Sequence, residues 1–377
     1  MQRVPGHRFA NIDALRGVAA AVVVWLHGSE IFARLPEVAG RGAWLHDVAE
    51  SLNLGRVGVV AFFLISGYVI PHSLRGNVGQ ALRQFAIRRF FRLFPAFWLS
   101  IPLAYLAVWL LWQRPFDVGD VLANITMVPA VFGRDAALGL YWTLETELVF
   151  YGLVTLLFVA GALRRPTALI VLVALFLAFF VLQGRFPWLP KPQVSQWAEM
   201  PFNLAVMFAG TLCRIAMDDA RGTGVAKSHR RWAELFAVGA ILAVCAMAAA
   251  HVVLGKTVQT QTFGVAYLIG VALFVATLLL WKRPPEMIVW MGSISYSLYL
   301  LHPIVLYPLA WVLTFVVPWP APLGLGTLLL VLGAGSLALA ALSYRWFELP
   351  AINYARRLTT GPAEKAAAWT AQQNGRP

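Results

Sequence analysis

The chain has 377 residues, of which 60% are hydrophobic and only 12% charged, with a formal net charge of +13. Apolar runs near twenty residues recur along it, more than a soluble core requires, so the composition excludes a soluble globular protein and indicates a polytopic membrane protein. The positive charge does not signal nucleic acid, because the basic residues lie in short segments between apolar runs, the distribution of the positive-inside rule.

Length and hydropathy predict ten spans, at 9–29, 55–73, 94–112, 141–161, 166–184, 200–217, 233–254, 262–281, 288–313 and 323–346. The expected fold is an all-α transmembrane helical bundle. The basic start before Val18–Leu26 resembles a signal peptide, but Asp13 and Arg16 interrupt it and no small-x-small cleavage site follows, so the first helix is expected to stay in the bundle. With the N-terminus cytoplasmic, most of the 30 Lys and Arg residues fall on the inner side, among them Arg75, Arg83, Arg164, Arg165, Arg230, Arg231, Lys282, Arg283, Arg356 and Arg357. That asymmetry and the even span count place both termini in the cytoplasm of a multi-pass protein of the inner, or plasma, membrane.

The outer segments differ in kind. Residues 30–54 carry Glu30, Glu37, Asp47 and Glu50, and residues 113–140 carry Asp117, Asp120 and Asp135 beside turn-forming Pro115, Pro129 and Gly133. Pro187, Pro190 and Pro192 favour an extended course over a further helix. These segments can form a lid or an acceptor site, or simply connect spans. Cys213 and Cys245 lie in different spans without metal-ligand spacing, and neither a disulfide framework nor a metal site is expected. Residues 1–358 form one expected transmembrane domain. Residues 359–377 are a polar, alanine-rich tail expected to be disordered.

Ionisable residues inside apolar spans are costly, so they suggest function by default. The first span carries Arg16 and His27. At about 100° per residue, eleven steps return nearly to the starting angle, so both project from one helical face with a rise of about 16 Å between them. Asp13 can pair with Arg16, which lowers the cost of burying either. His27 has the chemistry of a general base toward a hydroxyl, and the alternative is a packing histidine bonded to a neighbouring helix.

In FAIRRFFRLFP, residues 85–95, the i,i+3 and i,i+4 spacing crowds Arg88, Arg89 and Arg92 onto one side of a short cytoplasmic helix. Such a patch suits polyphosphate, though anchoring to anionic lipid explains it equally. In YWTLETELVFY, residues 141–151, Glu147 and Tyr151 share a face while Glu145 points elsewhere. Glu147 can orient a histidine or close a packing ion pair. In MGSISYSLYLLHP, Ser295, Tyr299 and His302 share a stripe, and His302 before Pro303 is read as structural. Arg345 and Glu348 in SYRWFELP are read as a structural i,i+3 pair.

These pieces, in this order, resemble the acyltransferase-3 family of membrane O-acyltransferases, from Arg8 to about Asn353. Arg16 and His27 meet the family's Arg-x10-His signature, and GVVAFFLISGY, from Gly58 to Tyr68, meets its glycine-aromatic segment. Arg89 and Arg92 meet its Arg-x-x-Arg before proline, and Trp142 to Tyr151 meets its Trp-Ser-Leu-x-x-Glu segment, with Thr143 in place of the usual serine. SYSLYLLHP and FELP complete the set. Val60 stands where many members carry an acidic residue.

The resemblance implies an acyl-CoA donor, acetyl-CoA in the first instance, used from the cytoplasm. It implies a hydroxyl acceptor on a carbohydrate, a lipid-linked saccharide or a glycosylated small molecule. In this reading Arg88, Arg89 and Arg92, with Arg16 deeper, hold the CoA phosphates. His27 acts as general base or acyl carrier, and Glu147 orients or stabilises its imidazolium. The rival reading is a transporter or flippase in which Arg16, His27 and Glu147 line a translocation or proton path.

Overall fold

The computed structural model describes residues 9–35, 41–115, 117–186, 195–220, 227–316 and 323–360. The extended course expected at Pro187, Pro190 and Pro192, and the tail beyond residue 360, lie outside the described residues. The helices run α1 (Ala10–Ala33), α2 (Trp44–Ser51), α3 (Leu54–Val69), α4 (Val78–Ala104), α5 (Val118–Ile125), α6 (Trp142–Val159) and α7 (Pro166–Arg185). They continue as α8 (Ser195–Ala220), α9 (Lys227–Leu254), α10 (Val258–Leu279), α11 (Glu286–Ser293), α12 (Ser295–Phe315), α13 (Leu325–Ser343) and α14 (Leu349–Thr359). Among the described residues there is no strand, only a bridge between Arg41 and Gly324.

Ten of these stretches are long and apolar enough to cross a membrane, in the order the sequence predicts. Local chemistry sets several starts. Asn53, in the left-handed region at φ 48°, accepts from the Arg56 amide to begin α3, and Asn77 does the same for Gln80 at the start of α4. Asp117 and Asp120 form a capping box on α5. The Gly119 amide, and then the Arg134 guanidinium, hold the Asp117 carboxyl below the usual carboxylate range.

Four details depart from the sequence reading. The basic stretch at 85–95 is not a separate cytoplasmic helix but part of α4, which runs unbroken into the third span. The ninth span is two helices, broken at Ile294 where the backbone leaves the helical region. The segments at 30–54 and 113–140 hold helices α2 and α5. π-helical turns at Tyr105–Leu110 and Tyr344–Glu348 extend the third and tenth spans.

Burial sorts the spans into an inner and an outer layer. The most apolar stretches of α3 and α8 are each 78% buried, whereas that of α7 is only 11% buried and shows Val171, Leu175 and Phe179 to the lipid. α1 packs against α3, α10, α11, α12 and α13. In a bilayer helices associate by close packing, and small residues let the backbones approach. A Cβ on Gly292 of α11 would overlap the Asp13 carbonyl of α1, and one on Gly67 of α3 would overlap the Met207 carbonyl of α8.

The first of those contacts is testable against an open position. Gly292→Val is expected to destabilise the detergent-solubilised protein by about 1–3 kcal/mol, the cost of overpacking. Gly239→Ala, where a Cβ meets nothing within 4 Å, is expected to be neutral or slightly stabilising. Thermal unfolding of the two purified variants side by side measures the difference.

Candidate active site

The end of the bundle where α1 finishes is called upper here, and the end where it starts lower. Two cavities lie between the helices and share Val59 and Tyr299 in their walls. The upper one, about 460 Å³, is lined by His27, Glu30, Arg56, Arg114, Trp109 and Trp142 among others. The lower one, about 110 Å³, is lined by Arg16, Ser66, Arg89, Arg92, Glu147, Tyr151 and Tyr296 among others. The one-face placement of Arg16 and His27 thus puts each on a wall of a different, adjoining cavity.

In the lower cavity, Arg16 donates to Asp13 at 3.2 Å, the pairing expected from sequence. Arg89 lies over the rings of Phe85 and Tyr151, at 5.5 and 5.6 Å from their centroids, and its buried Nε has no hydrogen-bond partner. Arg92 pairs with Glu348, whose other carboxylate oxygen accepts from Ser297 at 2.8 Å. Arg88 does not join them. Its Nε donates to the Thr359 hydroxyl at 2.9 Å on α14, which corrects the expectation of three guanidinium groups on one side. The expected Arg345–Glu348 pair is also corrected: the π-helical turn buries Glu348 beneath Arg92 and leaves Arg345 exposed. A π turn carries no local sequence signal, so spacing alone favoured the neighbour.

Glu147 accepts from the Tyr151 hydroxyl at 2.7 Å and from Ser66 at 3.4 Å. It therefore stands in the lower cavity, away from the imidazole that it was expected to orient. Glu145 points elsewhere, as its angle predicts, and accepts from Trp197 Nε1 at 2.9 Å.

The ring that meets His27 belongs to His302. His27 Nδ1 and His302 Nε2 are 2.8 Å apart, with the rings stacked at 5.1 Å between centroids, and His302 Nδ1 is 2.7 Å from the Tyr299 carbonyl. His302 is fully buried. From sequence His302 reads as a structural lone histidine before Pro303, and its partner lies 275 positions away, beyond the reach of any local pattern.

The remainder of the upper cavity combines aromatic walls with charged groups. Arg56 pairs with Glu199 and lies 4.5 Å over the Phe263 ring, while Arg114 lies 5.8 Å from the Tyr307 ring centroid. Trp109, set in the π-helical turn, donates to the Ala137 carbonyl at 2.9 Å. Among the described residues no group of three or more His, Cys, Asp or Glu side chains is arranged to hold a metal ion.

The Arg92–Glu348 pair has the largest structural stake in the lower cavity, since Glu348 is 1% exposed. Arg92→Met leaves a buried carboxylate without its counter-charge and is expected to cost about 3 kcal/mol. Adding Glu348→Gln is expected to recover much of that. Arg88→Met, which loses only a hydroxyl partner, is expected to change stability by well under half as much, and thermal unfolding of the purified variants ranks them.

Comparisons with known proteins identify the family. The family model described as an acyltransferase domain matches residues 9–345. Nodulation protein 10 of Rhizobium leguminosarum bv. viciae is 28% identical over 388 aligned residues, covering 94% of this chain and 97% of the relative. No solved structure matches. The chain belongs to the acyltransferase-3 family, and it is a multi-pass membrane acyltransferase.

Proposed function

We propose that the protein is an O-acyltransferase of the inner membrane that moves an acyl group, acetyl in the first instance, from cytoplasmic acyl-CoA to a hydroxyl of a carbohydrate or glycosylated acceptor. The observation that carries this reading is the pair of adjoining cavities, one lined by arginines and one by His27 and aromatic side chains. Guanidinium groups match phosphate oxygens, so the arginine cavity suits the donor. Aromatic faces flanked by polar groups suit a sugar ring, so the larger cavity suits the acceptor.

The lower cavity's 110 Å³ admits a slender chain rather than a nucleotide. In this proposal the nucleotide stays at the cytoplasmic mouth, with Arg16 and Arg89 on its phosphates, and the pantetheine arm runs inward toward Tyr299. Arg92 is committed to Glu348, so its contribution is positive potential rather than a free fork. Arg88 faces α14 and lends charge only at the surface. Glu147 serves the donor side, fixing Tyr151 beside Arg89.

The transfer itself balances with residues on the chain. The His27 imidazole takes the acceptor's hydroxyl proton as that oxygen attacks the thioester carbonyl. The carbon–sulfur bond then breaks, the new ester forms, and the proton passes from the imidazolium to the leaving thiolate, releasing free CoA. With the N-terminus cytoplasmic, the His27 cavity opens toward the outer side, where surface glycans or their lipid-linked precursors lie.

Two variants test the assignment with purified protein, acetyl-CoA and a thiol reagent that reads free CoA. His27→Ala is expected to reduce thiol release about a hundredfold or more. Arg89→Gln is expected to raise KM for acetyl-CoA several-fold with a smaller change in kcat. A folded His27→Ala protein with an unchanged rate would overturn the catalytic role. Absence of thiol release with any acceptor would favour the transporter reading.

A further inference from the structure

We infer that His302 is a positioning residue that fixes the tautomer of His27, leaving His27 Nε2 as the nitrogen free to take a proton in the upper cavity. The inference rests on the proposed role of His27 as base, but its structural premise stands on contacts alone.

The chain of reasoning begins at Pro303. A helical carbonyl at position i accepts from the amide of residue i+4, and proline has no amide hydrogen, so Pro303 leaves the Tyr299 carbonyl without its intrahelical donor. His302 Nδ1 lies 2.7 Å from that carbonyl. A carbonyl only accepts, so Nδ1 carries the hydrogen and donates. His302 is fully buried with no carboxylate among its hydrogen-bond partners, and a charged ring there would be costly, so it is neutral and its Nε2 has only a lone pair to offer.

The next link follows from the first. His27 Nδ1 is 2.8 Å from that lone pair and must therefore carry its own ring's hydrogen. The neutral His27 ring has one hydrogen, so its Nε2 is unprotonated. Among the described residues no hydrogen bond reaches His27 Nε2, and His27 lines the upper cavity. The other tautomer would put a donor where a base is needed. Without His302, nothing on the α12 side would hold the ring against that exchange. Partners of this kind fix the tautomer of metal-binding histidines, where their loss costs about 10–100-fold in affinity or activity, and the same order is expected here.

The test compares His302→Leu with His302→Gln. The glutamine amide oxygen can accept from His27 Nδ1 while its NH2 group donates to the Tyr299 carbonyl, whereas leucine can do neither. His302→Leu is expected to lower kcat about 10–100-fold with KM for acetyl-CoA nearly unchanged, and His302→Gln to recover most of the loss. Imidazole 15N spectra of the histidine-labelled wild-type protein should show His27 protonated at Nδ1 only, and His302→Leu should show a mixture of tautomers. A wild-type His27 protonated at Nε2 overturns the inference, as does equal impairment of the leucine and glutamine variants. The nitrogen assignment is independent of turnover, so a fully active His27→Ala would remove the base role while the tautomer result still decided what His302 does to the ring.

Discussion

The backbone of α1 rests directly on the backbone of α11, with the Asp13 carbonyl against Gly292, and the positions of both proposed site residues on α1 follow from that approach. Lipid tails are as apolar as leucine, so helices in a bilayer gain little from simply hiding apolar surface from one another. What holds them is contact at short range, and contact at short range requires the absence of side chains at the crossing. α1 meets that requirement with Gly17, Ala19 and Ala20 on its buried surface. Once the helix is clamped, the angular relation of Arg16 to His27 is no longer a property of α1 alone. It becomes a fixed relation between two cavities, one on each side of the shared wall of Val59 and Tyr299.

The same scarcity of water governs the charges. Arg92 is answered by Glu348, Arg56 by Glu199 and Arg16 by Asp13. Arg214 is answered by Asp218, which also meets His72, and lies over the Phe9 and Tyr68 rings at 4.6 and 5.1 Å. Among the described arginines that line the lower cavity, Arg89 is the one with no ion pair. It has aromatic faces beside it and a buried Nε left without a hydrogen bond. A buried Nε without a hydrogen bond is costly, and it is where an anionic substrate would gain most.

Much of this was legible in the sequence, because the bilayer enforces simple rules. Span number, the shared face of Arg16 and His27, the Asp13–Arg16 pair and the turn of Glu145 away from Glu147 all follow from length, hydropathy and angle. What sequence could not provide was the choice among partners. The i,i+3 and i,i+4 spacing grouped Arg88 with Arg89 and Arg92, but a hydroxyl on α14 claimed Arg88. Spacing likewise offered Arg345 to Glu348, and a π turn rotated Glu348 inward instead. His302 was the largest omission. The Pro303 beside which it reads as structural is the same feature that frees a carbonyl to hold it. Val60, where many family members carry an acid, is fully buried against Gly270 of α10, so an apolar residue there is consistent with its packing.

Tyr299 joins these strands because its side chain and its backbone serve different ends. The ring stands where the cavities adjoin, in edge contact with Phe62 at 5.9 Å, and its hydroxyl donates to the Leu140 carbonyl at 3.2 Å and lies 3.0 Å from Thr143 Oγ1. Thr143 thereby keeps the hydroxyl of the family's usual serine and adds only a methyl group. The carbonyl, by contrast, belongs to the helical backbone of α12 and holds His302. A rotation about the side-chain torsions can move the ring while leaving that carbonyl in place. The ring also lies 6.3 Å from the His302 ring, so in the proposed reaction such a movement would change the packing of His302 but keep its anchor. Had the hydroxyl rather than the carbonyl held His302, such a movement would also have released it.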